Sequence, residues 1–136
     1  MGFKQKNRHS IPMNLRMLFM INALVEIGGG LYLLLKSDAL FDMEGASPAY
    51  IHLLQLFIVA VLFLGGISLL VFKHYSPGPI LKYLTLSFLA YHLIIALKMY
   101  QAYELGVAAE PYAFITHFIM STLFVYFYFK EKSSFL

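Results

Sequence analysis

The sequence predicts an all-α integral membrane protein, a four-helix bundle with both termini in the cytoplasm. Three observations carry that prediction. Hydrophobic residues make up 60% of the 136 residues and charged residues only 12%, against about half and about a quarter in soluble domains. A chain of this size has too little interior to hide that much apolar surface from water. The apolar residues also fall into four stretches bounded by charges, each near the ~20 residues that let a helix cross ~30 Å of hydrocarbon. Finally, the basic residues collect on alternate sides of those stretches, as an even number of crossings requires.

Residues 1–13 read as a basic cytoplasmic arm carrying Lys4, Lys6, Arg8 and His9. Its charge suits it to set topology and to attract anionic lipid. The first span runs over 17–35, between Arg16 and Lys36. Its length and the central Glu26 argue against a cleaved signal peptide, despite the small residues Gly45-Ala46-Ser47-Pro48-Ala49 that follow. The second span covers 50–72 and ends at Lys73. Its runs, such as Phe57-Ile58-Val59-Ala60-Val61-Leu62, are apolar on every side rather than alternating, which excludes barrel strands. A turn with two prolines and a glycine, 74–79, leads into the third span, 80–103. Pro79 suits the start of that helix, where a missing N–H costs nothing. Pro48 and Pro111 occupy the same place before spans two and four. The fourth span, 112–129, ends at Lys130, and 131–136 form a short cytoplasmic tail. Residues 14–130 thus make one bundle, with no loop large enough for a catalytic domain.

Orientation follows from charge. Lys4, Lys6, Arg8, Arg16, Lys73, Lys82, Lys130 and Lys132 share one side. The other side holds Lys36 and Lys98 with Asp38, Asp42, Glu44, Glu104 and Glu110. Positive charge stays inside, so the acidic loops are expected to face outward across the cytoplasmic membrane. The net charge of +3 comes from these few flanking residues and does not describe a nucleic-acid binder. The chain has no cysteine, which removes disulfides, thiolate metal sites and cysteine nucleophiles.

Polar residues inside the spans are the functional signal. Glu26 lies ten residues from both Arg16 and Lys36. A carboxyl group at that depth costs ~2.5–3.5 kcal/mol, so it is expected to face the bundle interior or a wet cavity. Asn22, Gly29 and Gly30 share its helical face, and the glycines form a notch that admits a neighbouring helix. His92 is central in the third span. His117 lies about 5 Å outward of the middle of the fourth, and Gln55 and His52 lie about 9 and about 13 Å outward on the second. Glu26, His92, His117, Gln55, Asn22 and His52 are therefore the candidate ligand-binding residues, arranged as an outward-biased polar pocket. Lys98, further out, is placed to snorkel to the outer headgroups.

Several chemistries fit such a set. Glu26 and His92 can share a proton, bind a polar head group, or relay protons. A carboxylate with imidazoles also suits zinc or iron, but no HExxH or Glu-x-x-His spacing is present, so the sequence assigns no metal site. A bis-histidine haem on His92 and His117 requires offset helices. The plainer alternative is packing glue, worth about 0.6 kcal/mol per interhelical hydrogen bond. Tyr100, Tyr103, Tyr112 and the 124–129 aromatic run read as interfacial belts, and His9 and His74 as solvated.

Four short-looped spans with Val25-Glu26-Ile27-Gly28-Gly29-Gly30-Leu31-Tyr32, Gly65-Gly66, Tyr91-His92-Leu93 and Thr116-His117-Phe118 resemble the DoxX-like superfamily of small bacterial membrane proteins over 14–130. The resemblance implies a four-helix membrane bundle. Members are linked to quinone-coupled oxidation or to maturation of redox partners. It transfers no catalytic residue and names no cofactor. The expected function is binding of a small lipophilic or polar ligand in an accessory role, with a quinone-type ligand the first to test. The alternatives are a proton-coupled transporter and a structural or chaperone subunit. The expected partners are the lipid bilayer and a homo-oligomer or larger membrane complex.

Overall fold

Charge-bounded apolar stretches with proline at their starts fold as helices, because no other structure satisfies its own backbone within the segment. The computed structural model describes residues 14–40, 47–106 and 111–135. The basic arm, the loop acids Asp42, Glu44 and Glu110, and Gly45 and Ala46 lie outside the described residues. Four helices run α1 Leu15–Leu40, α2 Pro48–Lys73, α3 Pro79–Glu104 and α4 Tyr112–Lys130, followed by a 3-10 turn, Lys132–Phe135. Each helix is long and apolar enough to cross a membrane. α1 exceeds its expected span by five residues at the C-terminal end, because Lys36 and Asp38 end the apolar run without breaking the helix.

The helix starts have local causes. Asn14 Oδ1 accepts from the Met17 amide at 3.0 Å, and Ser47 Oγ accepts from the Tyr50 amide at 3.2 Å. Each side chain satisfies one of the orphan donors of a first turn. Pro48 and Pro79 take the first helical position. Pro111 instead sits one residue earlier, as the N-cap of α4. Gly78 caps α3 with φ of 144°, a backbone conformation open to glycine and strained for other residues.

α1 packs against α2 and α3 against α4, and the two pairs meet along a seam where α1 approaches α4. Buried positions recur at helical spacing: Ile58, Val61, Gly65 and Ser68 on α2; Leu81, Thr85, Phe88, His92 and Ala96 on α3. Phe19, Phe88 and Phe124 form the aromatic centre of the seam, with ring centroids 5.5 to 5.8 Å apart. At the end carrying Arg16, Lys73, Lys82 and Lys130, Glu131 ties the pairs together. Its Oε1 accepts from the Leu15 amide at 2.7 Å and its Oε2 from the Tyr75 hydroxyl at 2.9 Å. A carboxylate at a helix N-terminus also meets the positive end of the dipole. Arg16 donates from Nε to the Phe72 carbonyl at 3.0 Å and lies over the Phe72 ring.

The outward surface is strongly apolar: Leu35, Ile80 and Phe63 are 78%, 76% and 68% exposed. A continuous apolar exterior is a liability in water and the ordinary condition of a helix bundle in lipid.

Candidate functional site

The periodic stripe that buries each helix also decides which polar residues enter the bundle. On α1 the stripe of Leu15, Leu18, Phe19, Asn22, Ala23 and Glu26 carries its two polar members inward; Asn22 and Glu26 are 0% and 2% exposed. On α3, four residues after Phe88, the stripe reaches His92, also fully buried. On α4, His117 lies one turn before Met120 and Ser121 and is half-buried. These four residues, all expected from the sequence, come together at the seam.

Their contacts form a chain across the bundle. Asn22 Nδ2 donates to Ser68 Oγ at 2.7 Å. Asn22 Oδ1 lies 2.5 Å from His92 Nε2, and His92 Nδ1 lies 2.8 Å from His117 Nδ1. The amide orientation sets the proton positions. An accepting Oδ1 requires a proton on His92 Nε2, which leaves a lone pair on its Nδ1 in the neutral ring. His117 Nδ1–H then donates to it, and His117 Nε2 carries the remaining lone pair. Beside this chain, Tyr91 donates its hydroxyl to Glu26 Oε2 at 2.9 Å. Among the described residues, Glu26 Oε1 is buried without a hydrogen-bond partner and sits 3.8 Å from His92 Nδ1. An unpaired polar atom in so dry a place is costly.

Aromatic rings wall the site. The His92 ring stacks on Phe124 at 5.6 Å, and Tyr91 meets His117 edge-on at 5.8 Å. Two rings in direct nitrogen-to-nitrogen contact do not fit the haem arrangement, in which the axial nitrogens lie on opposite sides of the iron.

Two expected site residues are elsewhere. The α2 stripe continues from Ile58 through half-buried Leu54 and Ile51, which leaves Gln55 and His52 exposed on the outer side of the helix. The residues that α2 brings to the site are Ser68 and Gly65, ten to sixteen residues further along and so ~15–24 Å away on the axis. The polar cluster therefore centres on Asn22, Glu26 and His92, and the outer-end pair does not extend it. The glycine notch is also narrower than expected. Gly30 is closed in by Leu62 and Val61, whereas Gly29 faces open space.

Sequence reasoning missed Tyr91 and Ser68 as members. Tyr91 precedes His92 and was available as a mid-span hydroxyl. Ser68 resembles the other span hydroxyls until their partners are compared. Thr85, Ser121 and Thr122 each donate to a carbonyl of their own helix, while Ser68 receives a side chain from α1. Lys98 is exposed and donates to Gln101 Oε1 one turn further along α3, at 3.4 Å.

Comparison with known proteins finds no matching family model, no matching curated protein and no matching solved structure.

Proposed function

We propose that this chain is a multi-pass protein of the cytoplasmic membrane, with both termini inside. It holds the polar head of a small lipophilic ligand at the seam between its helix pairs, in an accessory role. A quinone-type head is the version the chemistry favours. The supporting observation is the pairing of half-buried Tyr91 and His117 with the fully buried, unpartnered Glu26 Oε1. A head group arriving from the lipid side meets Tyr91 and His117 first. A quinone carbonyl accepts from the Tyr91 hydroxyl in exchange for its bond to Glu26 Oε2, and a quinol hydroxyl donates to His117 Nε2. Glu26 is the adjacent group able to take or release a proton. The charge distribution supports the orientation, and the resemblance of the sequence to DoxX-like proteins is in keeping with such a ligand.

The competing readings have less behind them. The hydrogen-bond chain from Ser68 through Asn22 and His92 to His117 runs from helix to helix across the bundle, whereas a transmembrane proton path needs groups along its axis. A subunit role suits a polar stripe turned outward, and Asn22 and Glu26 turn inward.

The test is retention of a short-chain benzoquinone analogue by the full chain in lipid nanodiscs. Glu26→Gln, Tyr91→Phe, His92→Ala and His117→Gln are each expected to weaken retention at least tenfold, with His52→Gln unchanged. Equal retention in all five refutes this site. Mass spectrometry of lipids co-purified with the wild-type chain identifies the native occupant.

A further inference from the structure

We infer that Glu26, His92 and His117 also form a binding site for one divalent transition-metal ion of the zinc class. This goes beyond the lipophilic-ligand reading and does not depend on it; the ion and a quinol hydroxyl on His117 Nε2 are alternative occupants, because metal binding on Nδ1 places the ring proton on Nε2. One carboxylate oxygen and one nitrogen from each histidine lie within 4.8 Å of one another, on three different helices. Ligands at about 2.0–2.1 Å around a tetrahedral ion stand about 3.3 Å apart. The two Nδ1 atoms are 2.8 Å apart, and Glu26 Oε1 is 3.8 Å from His92 Nδ1. Both separations differ from the required value by about half an ångström, in opposite directions. A small pivot of the half-buried His117 ring corrects the first.

The surroundings are those of a ligand set. His92 is fixed through Nε2 by Asn22 Oδ1, which points its lone pair at Nδ1 into the cluster. Asn22 is itself held by Ser68. Tyr91 occupies Glu26 Oε2 and leaves Oε1 free and unpartnered. Outer-shell bonds of this kind fix the ring and aim the ligand atom in metalloproteins. Without an ion, the His117 Nδ1–H bridges to His92. With one, that proton moves to Nε2 of the same ring and the freed lone pair binds, so the imidazole stays neutral and no proton is lost from it. Two imidazoles and one carboxylate select zinc, iron(II), cobalt(II) or nickel(II) over calcium or magnesium, which take oxygen ligands. Three protein ligands leave a position for water or a substrate atom.

The test is titration of the full chain in detergent with cobalt(II), followed by its visible d–d bands and competition with zinc. One cobalt ion per chain is expected. Glu26→Gln, His92→Gln and His117→Gln each weaken binding about 100-fold or more, Asn22→Leu weakens it about tenfold, and His52→Gln and His74→Gln leave it unchanged. His117→Gln, at the half-buried position, is the variant least exposed to a folding defect. X-ray absorption of the wild-type zinc form provides a measurement free of substitutions, and two imidazole ligands with oxygen are expected. Absence of d–d bands in the wild type, or binding equal to wild type in His117→Gln, overturns the site. Quinone-analogue retention by the same protein after chelator treatment separates the two readings, since it persists if only the metal inference fails.

Discussion

Replacing Gly65 by alanine tests how closely α1 and α2 must approach to seat Glu26. A Cβ built on Gly65 falls 2.6 Å from Ile27 Cγ1, 3.0 Å from the Ile27 backbone nitrogen and 3.1 Å from Glu26 Cβ, against 3.4–4 Å for an ordinary contact. The Ile27 side chain can rotate away. The backbone nitrogen cannot, and Glu26 is held by Tyr91. The helices therefore separate by several tenths of an ångström beside the carboxyl group. Overpacking of this kind costs ~1–3 kcal/mol, while alanine in place of glycine returns ~1 kcal/mol of helix propensity. The net expectation is a loss of up to ~2 kcal/mol, and a deficit of ~1–3 kcal/mol against an alanine that meets no neighbour. Gly66 is the internal control: its Cβ meets nothing within 4 Å, so Gly66→Ala is expected to gain up to ~1 kcal/mol. Reversible unfolding of both variants in mixed micelles with increasing SDS, followed by circular dichroism, gives the comparison. Gly65→Ala as stable as Gly66→Ala refutes the close approach.

Other expectations follow from single contacts. Asn22→Leu strands Ser68 Oγ and His92 Nε2 and is expected to cost ~1–3 kcal/mol in the same assay; adding Ser68→Ala recovers part of that loss. Burial, with the Glu131 hydrogen bond and charge added to it, raises the Tyr75 hydroxyl above its ordinary 10.0. The folded state therefore holds this proton more tightly. The corresponding stability is complete below pH 10 and fades as pH rises beyond it, so Tyr75→Phe is expected to flatten the alkaline limb of the stability profile. For topology, a membrane-impermeant thiol reagent applied to intact spheroplasts of this cysteine-free chain is expected to label Leu105→Cys, and Ser76→Cys only after permeabilisation; the opposite pattern inverts the orientation.

The legibility of this protein differs between depth and direction. Charges and prolines mark where the helices start and stop, so the four helices follow from the sequence, whereas their pairing is seen only in the fold. Depth along a helix is simple arithmetic, which placed Glu26 and His92 together. Direction around the axis requires a contrast between faces, and α2 is apolar on nearly every side. Nothing in that span distinguishes the side of Leu54 from that of Gln55, about 100° away, and the two outer polar residues were placed inward for that reason. The members of the three-residue donor set are legible as candidates by depth, but not as a metal-ligand spacing. They come from α1, α3 and α4, so no local spacing records the set, and only packing of one helix pair on the other brings Glu26, His92 and His117 within reach.

The account rests on an inward-turned carboxyl group meeting imidazoles across the seam. Solid-state NMR on the chain in lipid bilayers, with ¹³C-labelled glutamate and ¹⁵N-labelled histidine, measures that meeting directly. The carboxyl oxygen of Glu26 is 3.8 Å from His92 Nδ1 and within 4.8 Å of a His117 nitrogen, so dipolar transfer between one glutamate carboxyl and histidine rings is expected, and its weakening in His92→Gln and loss in the double variant with His117→Gln assign it. A wild-type spectrum in which no glutamate carboxyl contacts a histidine ring, while the protein remains helical and folded, contradicts the account.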